Sequence, residues 1–402
     1  MKKIFLVFLI AWIIRLGFVL IWHAIGRGDH LSSDALGYYQ IAESLARGDG
    51  YRLFGELTAR RPPLYPLFIT FFLKLRLFPI GVQITQSLVG ALSCVILYQI
   101  SKRIFDEKSG LVSACILSVN YLAVRQSVSV LSETLFVFLL LLSFFLYFGA
   151  LAHFSKWWFF GSGLTAGLSL LTREVLLLYY PFMVLWILLE KAPRIAPIRS
   201  AILFLLGFTL AVGPWTLRNV FVFRQFILVT ASAGHTIWLS NNPETEGGKT
   251  GGDWVLGEDV VYPDDAYADK LSDSDIELDR YFYGKAIHYI LKNPGRFFKL
   301  MLVKIVNTWR PYQTDSPQYA KWATALTYLP VMFLGFMGLW WSRRRWRELV
   351  PIYLLILYIF FLHAILVAQI RYRFPAMPFL MIFAAYAGLE IWNWVKRTLC
   401  HE

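Results

Sequence analysis

Residues 4–22 read IFLVFLIAWIIRLGFVLIW, an apolar run of the length that an α-helix needs to cross the hydrocarbon core of a membrane. Runs of similar length recur along the chain. The sequence has no β-barrel alternation of apolar and polar residues, so helices are the only spanning structure it allows. Met1-Lys2-Lys3 precedes the first run and no small-residue cleavage site follows it. We therefore interpret this run as an uncleaved first helix, not a signal peptide.

The composition supports a polytopic membrane protein. Of the 402 residues, 57% are hydrophobic and 16% are charged, whereas soluble domains are about 45–50% apolar and about 25% charged. The net charge of +13 does not indicate a nucleic-acid partner, because Lys and Arg collect in the cytoplasmic loops of membrane proteins. The three cysteines are scattered and form neither a disulfide framework nor a metal motif.

The apolar runs predict a helix bundle of about ten spans with both termini inside. The spans lie at about residues 4–22, 83–100, 110–124, 133–151, 157–171, 174–190, 199–217, 320–341, 349–368 and 374–395. This topology gives the cytoplasmic segments fifteen basic residues against five acids and leaves an acid-rich loop outside, as the positive-inside rule requires. Residues 62–78 hold several prolines and basic residues, and we expect them to form a helix on the outer surface.

Three segments follow from this topology. Residues 1–218 form an N-terminal transmembrane module whose first external loop, residues 23–82, carries the chemistry. Residues 219–319 form an external loop with surface helices, expected at about 275–291 and 296–309, and residues 320–402 form the C-terminal transmembrane helices. No large soluble domain is expected after the last span.

The first external loop concentrates polar and aromatic residues. Residues 33–66 read SDALGYYQIAESLARGDGYRLFGELTARRPPLYP. An ordinary solvated connector is one interpretation of this loop, and a catalytic loop is the other. Asp34, close to the outer interface, could act as a general base toward a hydroxyl, or it could N-cap a helix over about residues 35–46.

Six arginines fall on the outer side, where the positive-inside rule does not explain them: Arg60, Arg61, Arg173, Arg218, Arg371 and Arg373. Each could extend to lipid head groups. Together they favour an anion site, because a guanidinium grips phosphate with two hydrogen bonds. Glu133, at the outer end of a span, could assist the base, orient an acceptor or form a structural ion pair with an arginine. No metal-ligand cluster, phosphate-binding glycine loop or nucleophile elbow is present in the sequence.

These pieces, in this order, resemble the GT-C glycosyltransferases that use polyprenyl-phosphate sugars, such as the protein O-mannosyltransferases and the lipid A aminoarabinose transferase. The matching motifs are Ser33-Asp34-Ala-Leu-Gly-Tyr38-Tyr39, Arg60-Arg61-Pro-Pro-Leu-Tyr65-Pro, Leu131-Ser-Glu133-Thr, Gly167-Leu-Ser-Leu-Leu-Thr-Arg173, Pro214-Trp-Thr-Leu-Arg218-Asn, Trp238-Leu-Ser-Asn-Asn-Pro243 and Arg371-Tyr372-Arg373-Phe-Pro375. Together they extend over nearly the whole chain.

The resemblance implies transfer on the outer face from an undecaprenyl- or dolichyl-phosphate sugar, with inversion at the sugar carbon. It implies Asp34 as the base, and Arg61, Arg371 and Arg373 as contacts of the lipid phosphate. We extend the predicted site by analogy, with Glu133 as a second catalytic residue; the further phosphate ligands are Arg60, Arg173 and Arg218, and the substrate-binding tyrosines are Tyr38, Tyr39, Tyr65 and Tyr372. The loop departs from the family in having one Asp34 and no acid pair, so no metal or other cofactor is expected.

The predicted function is therefore an inverting glycosyltransferase in a bacterial inner membrane, with its active site toward the periplasm. The acceptor would be a glycolipid, a polysaccharide or a protein. A flippase or transporter of lipid-linked sugars is the alternative, but it would need polar residues in mid-span, whereas the residues of interest cluster at one face. A structural scaffold is a third interpretation, and it would leave Asp34 and the outer arginines unexplained.

Overall fold

The computed structural model describes residues 2–28, 31–153, 156–190, 196–245, 275–314 and 316–399. The α-helices are α1 (Lys2–Ala24), α2 (Ser33–Arg47), α3 (Leu64–Lys74), α4 (Ile80–Ile104), α5 (Glu107–Val119), α6 (Tyr121–Val128), α7 (Glu133–His153), α8 (Lys156–Leu170), α9 (Tyr179–Leu189), α10 (Pro197–Phe223), α11 (Ala233–Ser240), α12 (Asp275–Lys292), α13 (Pro294–Trp309), α14 (Gln318–Trp341), α15 (Trp346–Ile365) and α16 (Met377–Leu399). Strands β1 (Arg52–Leu53) and β2 (Glu56–Leu57) form a small antiparallel hairpin after α2.

The prediction of an all-α polytopic membrane protein is confirmed. Among the described residues, six stretches are long and apolar enough to cross a membrane, or seven if the bent pair α5 and α6 counts as one span. One of the six runs from Gln318 to Ile365 and contains both α14 and α15. Helix α9 has only 11 residues because residues 174–176 form a separate 3-10 turn before it. The count of ten spans stays a prediction.

Basic residues gather at one end of the bundle. Lys3 Nζ lies 3.0 Å from Glu107 Oε1, and Lys102 Nζ lies 3.8 Å from the other oxygen of that carboxylate. The guanidinium of Arg345, from the turn between α14 and α15, lies 5.6 Å from the centre of the Phe105 ring. The N-terminus, the turn between α4 and α5 and the turn between α14 and α15 therefore lie at the same end of the bundle, as the predicted topology requires. The assignment of that end to the cytoplasm stays a prediction.

A bend separates α5 from α6, where the sequence predicted one span over about residues 110–124. The two helices meet at 54°. Arg15, buried in α1, donates to the carbonyl oxygens of Leu117 and Ser118 at 3.0 and 3.2 Å, and the Asn120 side chain accepts from the Ala123 amide at 3.1 Å. These side chains satisfy backbone groups at the break, which an apolar environment would otherwise penalise.

Helices α8 and α10 cross in direct backbone contact. A Cβ atom added to Gly163 would lie 1.9 Å from the carbonyl oxygen of Phe204, and one added to Gly207 would lie 2.1 Å from that of Phe160. Small residues allow this approach, which replaces the hydrophobic driving force that lipid removes. The crossing fixes α10, whose last turns lie next to the first external loop.

Helix α2 begins two residues earlier than a capping role for Asp34 would require. Its N-cap is Ser32, which makes no side-chain capping bond, and Asp34 lies within the first turn. The N-cap alternative for Asp34 is therefore wrong. Helix α2 ends at Gly48, whose φ of 90° lets its amide bond back to Leu45. Helix α3, within the predicted surface segment, packs against α2 through Tyr65 and its neighbours.

Helices α12 and α13 appear where the sequence predicted helices, but Lys304 does not lie on a polar face. Its side chain is buried, and Nζ donates to Asn241 Oδ1 at 2.8 Å and to the Ile365 carbonyl at 2.9 Å. Burial lowers the pKa of Lys304 to about 7. The exposed face of α13 is apolar instead, with Phe298, Leu302 and Val306. This helix therefore ties α11 to the end of α15.

Replacing Gly207 with alanine tests the close crossing. We expect Gly207→Ala to lower the apparent unfolding temperature, because the new methyl group must push α8 and α10 apart, and overpacking costs about 1–3 kcal/mol. The matched control is Gly17→Ala, since a Cβ there meets nothing within 4 Å. Thermal unfolding of both variants in detergent measures the effect. Equal unfolding temperatures would contradict the predicted contact.

Candidate active site

The carboxylate of Asp34 lies between two arginines. Arg61 Nη2 donates to its Oδ1 at 2.7 Å, and Arg371 Nη2 donates to its Oδ2. These groups come from α2, the segment before α3, and the 3-10 turn before α16. The sequence predicted that each would contribute to one site, and the fold brings the three together from positions 27 and 337 residues apart.

Arg371 joins Asp34 to the second acid, Glu133. Its Nη1 lies 3.7 Å from Glu133 Oε1, while its Nε donates to Gln369 Oε1 at 2.8 Å. Arg173 Nη1 lies 2.7 Å from the same Glu133 oxygen. The ion pair that the sequence offered as one role for Glu133 is therefore present, with two arginines.

The cluster has an accessible layer and a buried layer. The side chains of Arg61, Asp34 and Arg371 are 27%, 21% and 16% exposed to solvent, whereas that of Glu133 is 3% exposed. Glu133 also borders a narrow cavity that Arg173, His363 and Arg371 help to line. A ligand arriving from outside would therefore meet Asp34 and its two arginines before it met Glu133.

Three guanidiniums against two carboxylates leave this cluster with one excess positive charge. Burial would raise the pKa of Asp34, but the charges and hydrogen bonds of Arg61 and Arg371 outweigh it and hold the pKa well below its usual range. Asp34 in turn helps to raise the pKa of both arginines against the effect of burial. The excess charge suits an anionic ligand, and the paired Asp34 is a weak base in this state.

Two of the four predicted tyrosines border the cluster. The Arg61 guanidinium lies 4.9 Å from the centre of the Tyr38 ring, and the Tyr38 hydroxyl lies 3.2 Å from Ser132 Oγ. The ring of Tyr372 lies 5.1 Å from the Arg371 guanidinium and 5.5 Å from that of Arg173. Both rings support the arginines by cation–π contact.

The hydroxyl groups of the other two tyrosines are engaged by residues outside the cluster. The Tyr65 hydroxyl donates to Gln86 Oε1 at 2.8 Å, and its side chain is fully buried. The Tyr39 hydroxyl donates to Glu43 Oε1 at 3.2 Å. The structure therefore gives Tyr65 a packing role, with its ring edge-on to that of Tyr38 at 5.0 Å between centres, and gives Tyr39 a contact with Glu43.

Three predicted phosphate ligands are engaged elsewhere. Arg60 Nε lies 2.7 Å from Asp275 Oδ1, so this arginine ties the first external loop to α12. Arg218 Nη1 donates to the Thr58 carbonyl oxygen at 2.9 Å. Arg373 is buried at 1% exposure, its guanidinium lies 3.5 Å from the Tyr328 ring centre, and it donates to backbone carbonyls. The structure does not bring these three side chains to the Asp34 cluster.

Sequence reasoning missed two residues at the cluster. Gln369 orients Arg371, as described above, and the His363 ring stacks on Tyr372 with centres 5.1 Å apart. An isolated histidine in an apolar run and a glutamine before Ile-Arg carry no distinctive motif. Only the proximity of Gln369 to Arg371 in sequence could have suggested a role.

No group of three or more His, Cys, Asp or Glu side chains that could hold a metal ion occurs among the residues that the structure describes. The two acids of the cluster are held by arginines instead. Whether the protein needs a metal stays a prediction from the sequence.

Comparison with known proteins gives a family match over part of the chain. The model of the dolichyl-phosphate-mannose-protein mannosyltransferase family matches residues 60–215. This segment starts at Arg60 and includes Arg61, Glu133 and Arg173. Among curated proteins, none matches the chain.

Solved structures share the fold. The apo oligosaccharyltransferase of Archaeoglobus fulgidus aligns with a TM-score of 0.59 at 12% identity, over 98% of this chain and 51% of that one. The archaeal oligosaccharyltransferase AglB from Archaeoglobus fulgidus, in complex with an inhibitory peptide and a dolichol-phosphate, gives 0.57 at 12% identity, over the same 98% and 51%. ArnT from Cupriavidus metallidurans, bound to undecaprenyl phosphate, gives 0.50 at 14% identity, over 96% of this chain and 59% of that one.

The chain spans about half the length of the archaeal structures that it matches. At these identities the likeness is one of fold. Together with the family match, it confirms the resemblance to the GT-C superfamily of membrane glycosyltransferases that the motifs indicated.

Removing Glu133 tests the buried layer. We expect Glu133→Leu to destabilise the protein by about 1–3 kcal/mol, because it removes the buried carboxylate that pairs with Arg173, whose own side chain is 20% exposed. The double variant Glu133→Leu/Arg173→Leu should regain part of that loss, since it removes both charges. Unfolding in denaturant compares the two with the unmodified protein. A double variant less stable than Glu133→Leu would contradict the pairing.

Proposed function

On the premise of a GT-C fold and a matching family segment, we propose that the chain is a membrane glycosyltransferase that moves a sugar from a polyprenyl-phosphate donor to an acceptor hydroxyl. The observation that carries the proposal is the meeting of Asp34, Arg61 and Arg371 at one end of the bundle. A carboxylate and two partly exposed guanidiniums are the groups that such a transfer needs, a base for the acceptor and an anchor for the phosphate.

The donor and acceptor follow from the same chemistry. AglB and ArnT were solved with dolichol-phosphate and undecaprenyl phosphate, which supports a lipid-linked phosphate as the donor's leaving group. Arg61 and Arg371 would hold that phosphate, with Arg173 behind them. The acceptor would be a glycolipid, a polysaccharide or a protein, and we propose no nucleic-acid partner.

The reaction is a single displacement. The acceptor oxygen attacks the anomeric carbon of the sugar from the face opposite the phosphate, so the configuration inverts. The carbon–oxygen bond to the phosphate breaks, and the bonding electrons leave with the polyprenyl phosphate, where the arginines stabilise the added negative charge. The acceptor proton passes to an Asp34 carboxylate oxygen and from there to solvent. No metal or other cofactor enters this proposal.

We propose that the reaction takes place at the outer face of a bacterial inner membrane, toward the periplasm. Helix α1 separates Lys3 from Asp34, and α15 separates Arg345 from Arg371, so the charged cluster would lie at the end of the bundle opposite Lys3, Lys102 and Arg345. The positive-inside rule assigns the basic end to the cytoplasm, so the cluster would face outward. The external helix α12, held to the first loop by Arg60 and Asp275, would then stand beside the site.

Asp34→Asn tests the base. We expect sugar transfer to fall at least about 100-fold, because general base catalysis contributes about 10²–10⁴ in rate and an amide cannot take up the proton. The variant should keep its fold, since asparagine has nearly the same shape. Turnover of a panel of polyprenyl-phosphate sugars by the purified protein measures the effect.

The control for this variant is Glu43→Gln, on the same helix, where Glu43 forms an ion pair with the exposed Arg47 at 2.8 Å and accepts a hydrogen bond from the Tyr39 hydroxyl at 3.2 Å. Its turnover should match that of the unmodified protein. Normal turnover by Asp34→Asn would remove Asp34 from the mechanism. A transport assay that moved the lipid-linked sugar across vesicles without any transfer would favour a flippase instead.

Arg371→Gln and Arg61→Gln test the phosphate anchor. Each should weaken polyprenyl-phosphate binding about 10- to 100-fold, the size expected for loss of a hydrogen bond to a charged group. Arg47→Gln, on α2 and exposed, is the matched control. Titration of polyprenyl phosphate against protein in lipid nanodiscs gives the dissociation constants. Unchanged binding in both cluster variants would refute the anchor.

A further inference from the structure

We propose that Asp34 and the donor phosphate compete for the same two arginines, so that donor binding releases the carboxylate that the acceptor needs. This inference rests on the proposed function and adds the order of events at its site. Without donor, Asp34 is held by Arg61 and Arg371. With donor bound, the phosphate takes their N–H groups and Asp34 becomes free to accept a proton.

Each carboxylate oxygen has its own arginine. Arg61 reaches Oδ1 at 2.7 Å, and Arg371 reaches Oδ2. Charge-assisted hydrogen bonds of this kind are about twice as strong as neutral ones. With both oxygens engaged, the carboxylate has little tendency to take a proton from a hydroxyl. The resting arrangement therefore contains the base, but in an inactive state.

The two arginines can exchange ligands without leaving their places. Arg371 is also held by Gln369 Oε1 at 2.8 Å and lies near Glu133. The Arg61 guanidinium lies on the Tyr38 ring, and its backbone carbonyl accepts from the Tyr51 hydroxyl at 2.9 Å. These contacts do not involve Asp34, so they remain when the carboxylate moves.

The difference in exposure between the two acids means that an incoming phosphate displaces the Asp34 carboxylate and not that of Glu133. Its side chain and those of its two arginines are partly exposed, whereas Glu133 is 3% exposed beneath them. An incoming phosphate can reach Arg61 and Arg371 from the solvent side, where Arg173 is also 20% exposed, while the Glu133 carboxylate stays buried. A guanidinium binds phosphate and carboxylate with the same fork of N–H groups, so the phosphate displaces the carboxylate directly.

The consequence for the reaction is an ordered sequence. The donor phosphate carries one negative charge and replaces one, so the charge of the arginine pair stays balanced while Asp34 is released. The released carboxylate takes the acceptor proton as the acceptor oxygen bonds to the sugar and the sugar–phosphate bond breaks. When polyprenyl phosphate leaves, Asp34 has returned its proton to solvent and binds the arginines again. An acceptor alone therefore meets an unreactive base.

The experiment measures binding of sugar-free polyprenyl phosphate, not turnover. Asp34→Asn removes the competing negative charge and leaves the two arginines in place. If the carboxylate competes with phosphate, this variant binds polyprenyl phosphate about tenfold more tightly or better than the unmodified protein, the gain expected from removing a competing charge-assisted hydrogen bond. Glu43→Gln, which removes a carboxylate from the same helix, should bind with unchanged affinity.

A parallel titration with inorganic phosphate separates the head-group chemistry from the lipid. The same tightening in Asp34→Asn for both ligands supports competition for the arginines. Unchanged or weaker binding of polyprenyl phosphate by Asp34→Asn overturns the inference, since it would mean that Asp34 supports the phosphate site. If Asp34→Asn does tighten binding only for the lipid, competition is still supported, and the lipid tail is then required to reach the arginines.

A second measurement needs no variant. Infrared difference spectra of the unmodified protein with ¹³C-labelled aspartate should show a shift of a carboxylate band when polyprenyl phosphate is added. No aspartate change would overturn the release of Asp34 even if the variant failed to fold. The proposed function fails separately, if the unmodified protein neither binds polyprenyl phosphate nor transfers sugar from any donor of the panel.

Discussion

Charged side chains at the end of an apolar helix bundle need oppositely charged partners, and in this structure the charged side chains of the cluster pair with one another. Moving an isolated carboxylate or guanidinium out of water costs several kcal/mol, which only close pairing and hydrogen bonding recover. Asp34, Glu133 and their three arginines meet this condition as a connected group. Arg371 is the link, because it touches both acids.

The rest of the fold positions this group. Three of its members lie at or just before the start of a helix: Asp34 in the first turn of α2, Glu133 at the start of α7 and Arg371 just before α16. Helix ends are fixed by the packing of whole helices, so each side chain has little freedom to move. The close crossing of α8 and α10 and the bend between α5 and α6 set the helix arrangement on which these ends depend.

The same pairing that makes the group stable makes it inactive as a base. A carboxylate with two guanidiniums has a strongly lowered pKa, whereas a general base works best with a pKa near the operating pH. A ligand that takes the guanidiniums resolves this conflict. In the proposed mechanism the substrate's own charge completes the catalytic site.

The sequence by itself determined the class of protein, because apolar runs of membrane length and the sorting of basic residues are local and additive properties. It also identified Asp34, Arg61, Glu133, Arg173 and Arg371 as site candidates, since each lies in a short motif at a predicted helix end. Local pattern could not decide whether Asp34 caps a helix or pairs with distant arginines. That depended on an arginine 337 residues away.

Only the tertiary structure separated the arginines of the cluster from the others. Arg371 and Arg373 are two residues apart and look equivalent in sequence, yet one faces Asp34 and the other is buried against Tyr328 and backbone carbonyls. The 3-10 turn that holds them directs neighbouring side chains to different surroundings. The packing of helices from distant parts of the chain decides which of these two arginines contacts an acid. Composition and motif spacing do not predict that packing.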